Sequence, residues 1–281
     1  MTAKHVLARA RRVLAAGNIE EASLEADLLL RDTLKISRVQ LYSELDRELS
    51  REQEKTFWRQ IQRLLNHEPA AYITGHREFF GLDFHVDSSV MIPRPESELL
   101  VEKALELVQN HDLSALADVG TGCGAIAISL ALSLPQTRIY ALDISTSALR
   151  VALANCRRHG VARRVCFLAG DMLDPLPEPV DLIAANLPYV RASELASTNT
   201  AGFEPRLALD GGPDGLGVIR RLCLQAGNKL RPGGKLLLEI GEGQEGAVTI
   251  FLHGLFPSAT LEILPDLGGI DRVVSISLPS H

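Results

Sequence analysis

Three glycines within five residues, Gly120, Gly122 and Gly124, stand between two apolar segments, and this placement leaves few folds open. The stretch reads Asp118-Val119-Gly120-Thr121-Gly122-Cys123-Gly124. Before it lies a run suited to a buried strand (Leu116, Ala117, Val119). After it lies a run suited to a helix, Ala125 to Leu134. Glycine lets the backbone turn sharply and lets a ligand approach without a Cβ in the way. The first N–H groups of the following helix then point into the turn. In open α/β folds this arrangement begins a nucleoside site, and a carboxylate at the end of the next strand holds the ribose diol. Asp143, closing the strand-like run Arg138 to Leu142, stands at that place.

The rest of the chain divides by periodicity. Val6, Leu7, Ala10, Val13 and Leu14 keep helical spacing, and Gly17 suits a C-terminal cap. Leu24 to Leu34 is a second helical run. Ser50 with Gln53 matches a capping box, opening a helix with Phe57, Ile61, Leu64 and Leu65 on one face. These short helices predict a small all-α domain over residues 1–75. Arg77 to Val86 alternates and turns like a β-hairpin, and Ile92-Pro93-Arg94-Pro95 must be extended because each proline restricts the residue before it. Residues 76–95 thus read as a β-hairpin linker to a domain over 96–281, which opens with a helix from Glu96 to Gln109.

From Ala115 onward strands and helices alternate. Strands are expected at 115–119, 138–142, 165–168, 180–185 and 235–240, with helices at 125–134, 146–159, 216–230 and 244–253. That rhythm predicts a doubly wound, mostly parallel sheet covered on both faces. Thr260–Leu264 and Arg272–Leu278 have only Pro265-Asp266-Leu267-Gly268-Gly269 between them, which predicts a C-terminal antiparallel hairpin.

Composition excludes several classes. No apolar run reaches the roughly 18 residues that span a bilayer, and the start of the chain reads as amphipathic, not as a secretory signal. Cys123, Cys156, Cys166 and Cys223 lack metal-ligand spacing, so reduced thiols, no metal and a cytoplasmic location are expected. The net charge is −6, distributed as +2 over residues 1–67 and −8 over the rest, which argues against broad nucleic-acid affinity. The positive front reads either as a solvated helical surface or as a face for an acidic partner.

Two further segments carry chemistry. Gly170-Asp171-Met172 follows the third strand of the α/β part. There Asp171 could accept an adenine amine and Met172 cover the ring; ordinary loop punctuation is the alternative. The fourth strand, Val180 to Ala185, ends in Asn186-Leu187-Pro188-Tyr189. Ligands in such sheets lie beyond the carboxyl ends of strands. The Asn186 side-chain oxygen and the Leu187 carbonyl can each accept an N–H, and Tyr189 can pack against a planar group. A capped strand end with a turn proline is the plainer alternative.

The set Asp118-Val-Gly-Thr-Gly-Cys-Gly, Asp143, Asp171 and Asn186-Leu-Pro-Tyr resembles class I S-adenosylmethionine-dependent methyltransferases acting on a planar nitrogen. His67-Glu68-Pro69-Ala70-Ala71-Tyr72-Ile73-Thr74-Gly75, Arg77-Glu78-Phe79, Ile92-Pro93-Arg94-Pro95-Glu96 and Phe203-Glu204-Pro205-Arg206-Leu207-Ala208-Leu209-Asp210-Gly211-Gly212 are similar to the peptide chain release factor glutamine methyltransferases, the HemK/PrmC family. This resemblance implies a seven-stranded methyltransferase sheet and a helical front that recognises the substrate. It implies S-adenosylmethionine held by Gly120, Thr121, Gly122, Cys123, Gly124, Asp143, Asp171, Met172 and Asn186. It implies catalysis at Asn186, Pro188 and Tyr189, with Leu187 joining them around the substrate. The expected reaction methylates the side-chain amide of the Gly-Gly-Gln glutamine in bacterial class-one release factors, by a monomer without nucleic acid or membrane. A ribosomal-protein glutamine, a nucleobase amine, nicotinamide chemistry and a non-catalytic cofactor-binding module are the competing readings. One position departs from the family's Asn-Pro-Pro-Tyr: Leu187 replaces the first proline, which keeps the carbonyl but removes a fixed φ and the restriction on Asn186, so a looser turn is expected. Glu204 and Arg206 read either as a cover or docking loop, or as a structural ion pair.

Overall fold

A computed structural model describes residues 1–108, 113–195 and 202–280. The chain divides into two compact units, Met1–His76 and Arg77–His281.

The first unit is helical: α1 (Ala3–Ala16), α2 (Ala22–Leu34), α3 (Arg38–Ser43), α4 (Arg51–Leu65) and α5 (Ala70–Thr74). Val6, Leu7, Ala10, Leu14, Leu29, Leu30, Phe57 and Ile61 are buried together, as their spacing predicts, and Leu65 is only partly buried. The Ser50–Gln53 capping box forms in both directions, Gln53 N donating to Ser50 Oγ (3.2 Å) and Ser50 N to Gln53 Oε1 (2.9 Å). A second box at Ser37 and Gln40 starts α3. Gly17 does follow α1, yet its φ is −85°, which any residue adopts. Glycine is needed there for space: a Cβ would lie 2.5 Å from Leu65 Cδ2.

Next along the chain comes the hairpin of β1 (His76–Phe79), which starts on the last residue of the first unit, and β2 (Leu82–His85). Phe80 and Gly81 both have positive φ, the signature of a two-residue type I′ turn. A single turn at Pro95–Ser97 then leads into α6 (Glu98–Val108); the expected end at Gln109 lies outside the described residues.

The main sheet follows the expected alternation: β3 (Ala115–Val119), α7 (Ala125–Ser133), β4 (Arg138–Asp143), α8 (Thr146–Arg158), β5 (Val165–Ala169), β6 (Val180–Ala185), α9 (Gly217–Lys229), β7 (Leu230–Glu239), α10 (Glu245–Leu255), β8 (Thr260–Pro265) and β9 (Asp271–Ser277). Its order is β5-β4-β3-β6-β7-β9-β8. The first five strands are parallel and the last two antiparallel. Successive strands run outward from β3 to one side and from β6 to the other, so a crevice opens at their carboxyl ends. All of β3 is buried, as is nearly all of α7, and helices α6, α7 and α8 pack as one set while α9 packs on α10.

One detail departs from expectation and a second goes beyond it. β7 starts at Leu230, five residues before the expected 235, because Arg231-Pro232-Gly233-Gly234 reads as a turn and yet continues the strand, with a register shift opposite Val180–Leu182. The terminal hairpin forms, but its second strand lies inside: β9 pairs with both β7 and β8.

Candidate active site

A cavity of about 600 Å³ opens over the carboxyl ends of β3, β4 and β6. Its lining includes Gly120–Cys123, Asp143, Asp171, Met172 and Asn186–Pro188.

The glycine turn is shaped by strain that only glycine relieves. Gly120, Gly122 and Gly124 have φ of +75°, +56° and +85°. The N–H groups of Gly120 and Thr121 both donate to the Leu142 carbonyl (2.9 Å each), pulling the turn onto the end of β4. A Cβ on Gly120 would sit 3.1 Å from Leu187 Cδ2 and 3.4 Å from the Asn186 carbonyl oxygen. The glycine turn and the Asn-Leu-Pro-Tyr turn therefore touch. Gly124 is not among the cavity-lining residues; a Cβ there would meet Ile128 (3.0 Å) and Ala152 (3.2 Å), so close helix packing disfavours a side chain at this position.

Asp118 is fully buried beneath this turn. Its Oδ2 accepts from Thr121 Oγ1 (2.7 Å) and from Ala127 N (3.1 Å), while its Oδ1 meets no donor among the described residues. Burial, only partly offset by those bonds, pushes its carboxyl up to about 7. Cys123 is a buried neutral thiol, pushed up to about 12 by burial. Asn155 of α8 ties the turn to the hairpin, donating to the Cys123 and His85 carbonyls (2.9 Å each).

Asp143 ends β4 facing the cavity. Gly122 N donates to Oδ2 and Ser145 N to Oδ1, each at 2.9 Å. A carboxylate has about four acceptor sites, more than the N–H groups of Ser145, Gly122 and Ile144 fill, so it is aimed and still able to receive a hydroxyl. Burial raises its carboxyl above the ordinary value against those N–H groups. Asp171 lines the cavity with one oxygen, Oδ2, held by Arg221 of α9. Met172 has a left-handed φ of 49°, uncommon for a side chain of this size, and lies against the cavity.

The fourth-strand turn holds its polar groups in a chain. Asn186 Nδ2 donates to Ser97 Oγ (2.8 Å), Ser97 Oγ donates to Glu239 Oε2 (2.6 Å), and Tyr189 OH donates to Glu239 Oε1 (3.2 Å). With Nδ2 so committed, the acceptor oxygen is the half of the Asn186 carboxamide left for a ligand, and no described residue donates to it or to the Leu187 carbonyl. Tyr189 lines a smaller adjoining cavity of about 120 Å³ that shares Asn186 and Leu187. The Leu187 side chain is buried in the sheet core against Gly120, so packing restrains the turn where the family's ring would.

Glu204 pairs not with Arg206 but with Arg94. Its side chain is fully buried, accepting from Arg94 (2.6 Å) and from Ile92 N (2.9 Å). It fastens the Ile-Pro-Arg-Pro stretch to the Phe-Glu-Pro-Arg stretch. Arg206 is exposed, pairs with Asp210 and lines the cavity with Pro205, Leu207 and Ala208. Sequence reading missed Ser97, Arg221 and Glu239. For Glu239 a signal existed: an acid between the apolar runs Leu236–Leu238 and Ile240 is an anomaly in a buried strand.

Residues 5–75 match the PrmC N-terminal domain, and residues 110–241 match a methyltransferase domain. The release factor glutamine methyltransferase of Moorella thermoacetica is 44% identical over 274 residues, covering 97% of each chain. That of Koribacter versatilis is 39% identical over 280 residues, covering 98% of each. A solved methyltransferase from Pyrococcus furiosus shares the fold, with a TM-score of 0.53 at 17% identity, covering 78% of this chain and 97% of that one.

Proposed function

The chain belongs to the family of release factor glutamine methyltransferases, and on that premise we propose that it methylates the side-chain amide nitrogen of the glutamine in the Gly-Gly-Gln loop of bacterial class-one release factors. The observation that carries this reading is the commitment of Asn186 Nδ2 to Ser97, which leaves the side-chain oxygen of a cavity-lining residue free to accept.

The residues suit S-adenosylmethionine. The cavity lies within the ~300–1,000 Å³ typical of small-ligand sites. Gly120 to Cys123 form a cradle without projecting side chains at the two glycines, and Asp143 offers remaining acceptor capacity to a ribose hydroxyl. Met172 would cover the base. Asp171, shared with Arg221, would accept the base amine through its other oxygen. When bound, S-adenosylmethionine supplies a methyl carbon on a sulfonium sulfur that departs as a neutral thioether.

The protein's own task is to make an amide nitrogen react. That nitrogen is a poor nucleophile because its lone pair is delocalised into the carbonyl. The Asn186 oxygen and the Leu187 carbonyl would each accept one amide N–H, fixing the nitrogen in position and in orientation. As a C–N bond forms, positive charge grows on nitrogen and its N–H groups polarise, so both acceptors bind more strongly than before. The extra proton leaves to water afterwards, so no strong base is needed. Alignment of this kind contributes up to ~7–11 kcal/mol in favourable cases. Tyr189, which lines the smaller cavity and is anchored through its OH to Glu239, would pack on the planar amide, and Pro188 would hold the turn. The helical unit would supply recognition of the release factor.

The decisive assay is methyl transfer from labelled S-adenosylmethionine to a purified release factor and to its Gly-Gly-Ala variant. Label on the first and none on the second is expected. Equal labelling of both would refute the assignment.

A further inference from the structure

A carboxamide has nearly the same shape with its oxygen and NH2 exchanged, so shape alone does not decide which end of Asn186 meets the cavity. The hydrogen-bond partners decide it. An ionised Glu239 has no proton to give, so Ser97 must spend its single hydroxyl proton on Glu239 Oε2 (2.6 Å). Ser97 can then only accept from Asn186, and the donor at 2.8 Å must be Nδ2. Tyr189 OH occupies the other Glu239 oxygen. Ser97 and Glu239 are both buried, Ser97 at the wall of the larger cavity.

We propose that Ser97 and Glu239 are positioning residues that set the polarity of the Asn186 carboxamide, presenting its oxygen to the substrate amide. This rests on the reading of Asn186 as the acceptor for the glutamine amide. With the polarity reversed, an NH2 would face an NH2, donor against donor, and the substrate nitrogen would lose its hold.

The titratable and hydrogen-bonding groups around Glu239 are Ser97 and Glu96 from the turn before α6, Tyr189 from the loop after β6, and Arg272 from β9, itself paired with Asp266. Burial outweighs Ser97, Tyr189 and Arg272 and pushes the Glu239 carboxyl up to about 7. A protonated Glu239 can donate to Ser97, which frees Ser97 to donate to the Asn186 oxygen. The ordered polarity therefore belongs to the ionised form, and turnover should rise as pH passes through about 7.

The test compares Ser97→Ala, Glu239→Gln and the double variant in the full chain, each first shown to be folded by thermal unfolding. Gln at 239 keeps the shape but can either donate or accept. In each folded single variant kcat should fall ~10–100-fold while cofactor Kd stays within about twofold. The double variant should be no worse than the poorer single, because both act through one chain. The rise of kcat through neutral pH should vanish in Glu239→Gln. Wild-type kcat in a folded single variant, or additive losses in the double, would overturn the proposal. A second readout is independent of the substrate: slow hydrogen exchange of the Asn186 side-chain NH2, its resonance assigned by loss in Asn186→Asp. Slow exchange that becomes fast in Ser97→Ala, together with no methyl transfer to a release factor, would sink the functional reading and leave the polarity mechanism standing. Fast exchange in an active wild-type enzyme would sink the polarity mechanism alone.

Discussion

Gly120 and Gly122 make a matched pair for separating two jobs of one turn. Alanine at either position must adopt a left-handed φ, at +75° or +56°, costing ~1–2 kcal/mol for an L-residue. For a unit of this size that is a Tm loss of about 2–8 °C in each variant. The surroundings then differ. At 122 an added Cβ makes only an ordinary contact, 3.9 Å from the Gly120 carbonyl oxygen, so the methyl fits in the cavity lining without displacing a neighbour. At 120 the Cβ falls 3.1 Å from Leu187 Cδ2 and 3.4 Å from the Asn186 carbonyl oxygen, so the second turn must move by a few tenths of an ångström. Gly122→Ala should thus raise cofactor Kd with kcat at saturation nearly intact. Gly120→Ala should lower kcat about tenfold or more through displacement of Asn186, given how steeply rate depends on alignment. Calorimetric titration of cofactor and methyl transfer at saturating cofactor measure the two effects. If Gly122→Ala lowered kcat as much as Gly120→Ala, contact between the turns would not explain the result.

Asn186→Ala should cut turnover ~10²–10³-fold, the range for losing one fixed polar group at a transition state, and leave cofactor Kd nearly unchanged; equal losses in kcat and affinity would contradict its role. Asp143→Ala should weaken cofactor binding about tenfold or more and lower Tm, since Gly122 and Ser145 lose an acceptor. A saturating-cofactor assay should recover much of its rate, and failure to do so would place Asp143 in the chemistry. Stability should also depend on pH in a set direction. Asp118 and Glu239 are both raised, from 3.8 and 4.5 to about 7, so the folded state keeps protons that the unfolded state releases. Stability should then fall as pH rises from about 4 to about 7 and level off above, and Glu239→Gln should flatten part of the slope; urea unfolding across that range would disprove it by showing the opposite trend.

The parallel core was legible because its signals are local. Gly120 to Gly124 punctuate a strand and a helix, and the strand at 180–185 has the same bounds in sequence and structure. What escaped depended on distance along the chain. Ser97 and Glu239 lie 142 residues apart and Arg94 and Glu204 lie 110 apart, and no periodicity encodes such meetings. Arg231-Pro232-Gly233-Gly234 misled because its composition is that of a turn while its neighbours in the sheet make it a strand. Gly17 and Gly124 were visible as glycines, but the atoms that exclude a Cβ, Leu65 Cδ2 for one and Ala152 for the other, come from other helices.

The inward place of β9 has a consequence for the order of assembly. A nascent chain makes β8 before β9, yet β8 has no seat until β9 has emerged and docked on β7. Glu239, whose strand partner is Val273, stays half-framed until then. The polar chain behind Asn186 should therefore be among the last features to mature during synthesis, so a ribosome-stalled fragment ending before Asp271 would carry the glycine turn without a competent amide-gripping tip.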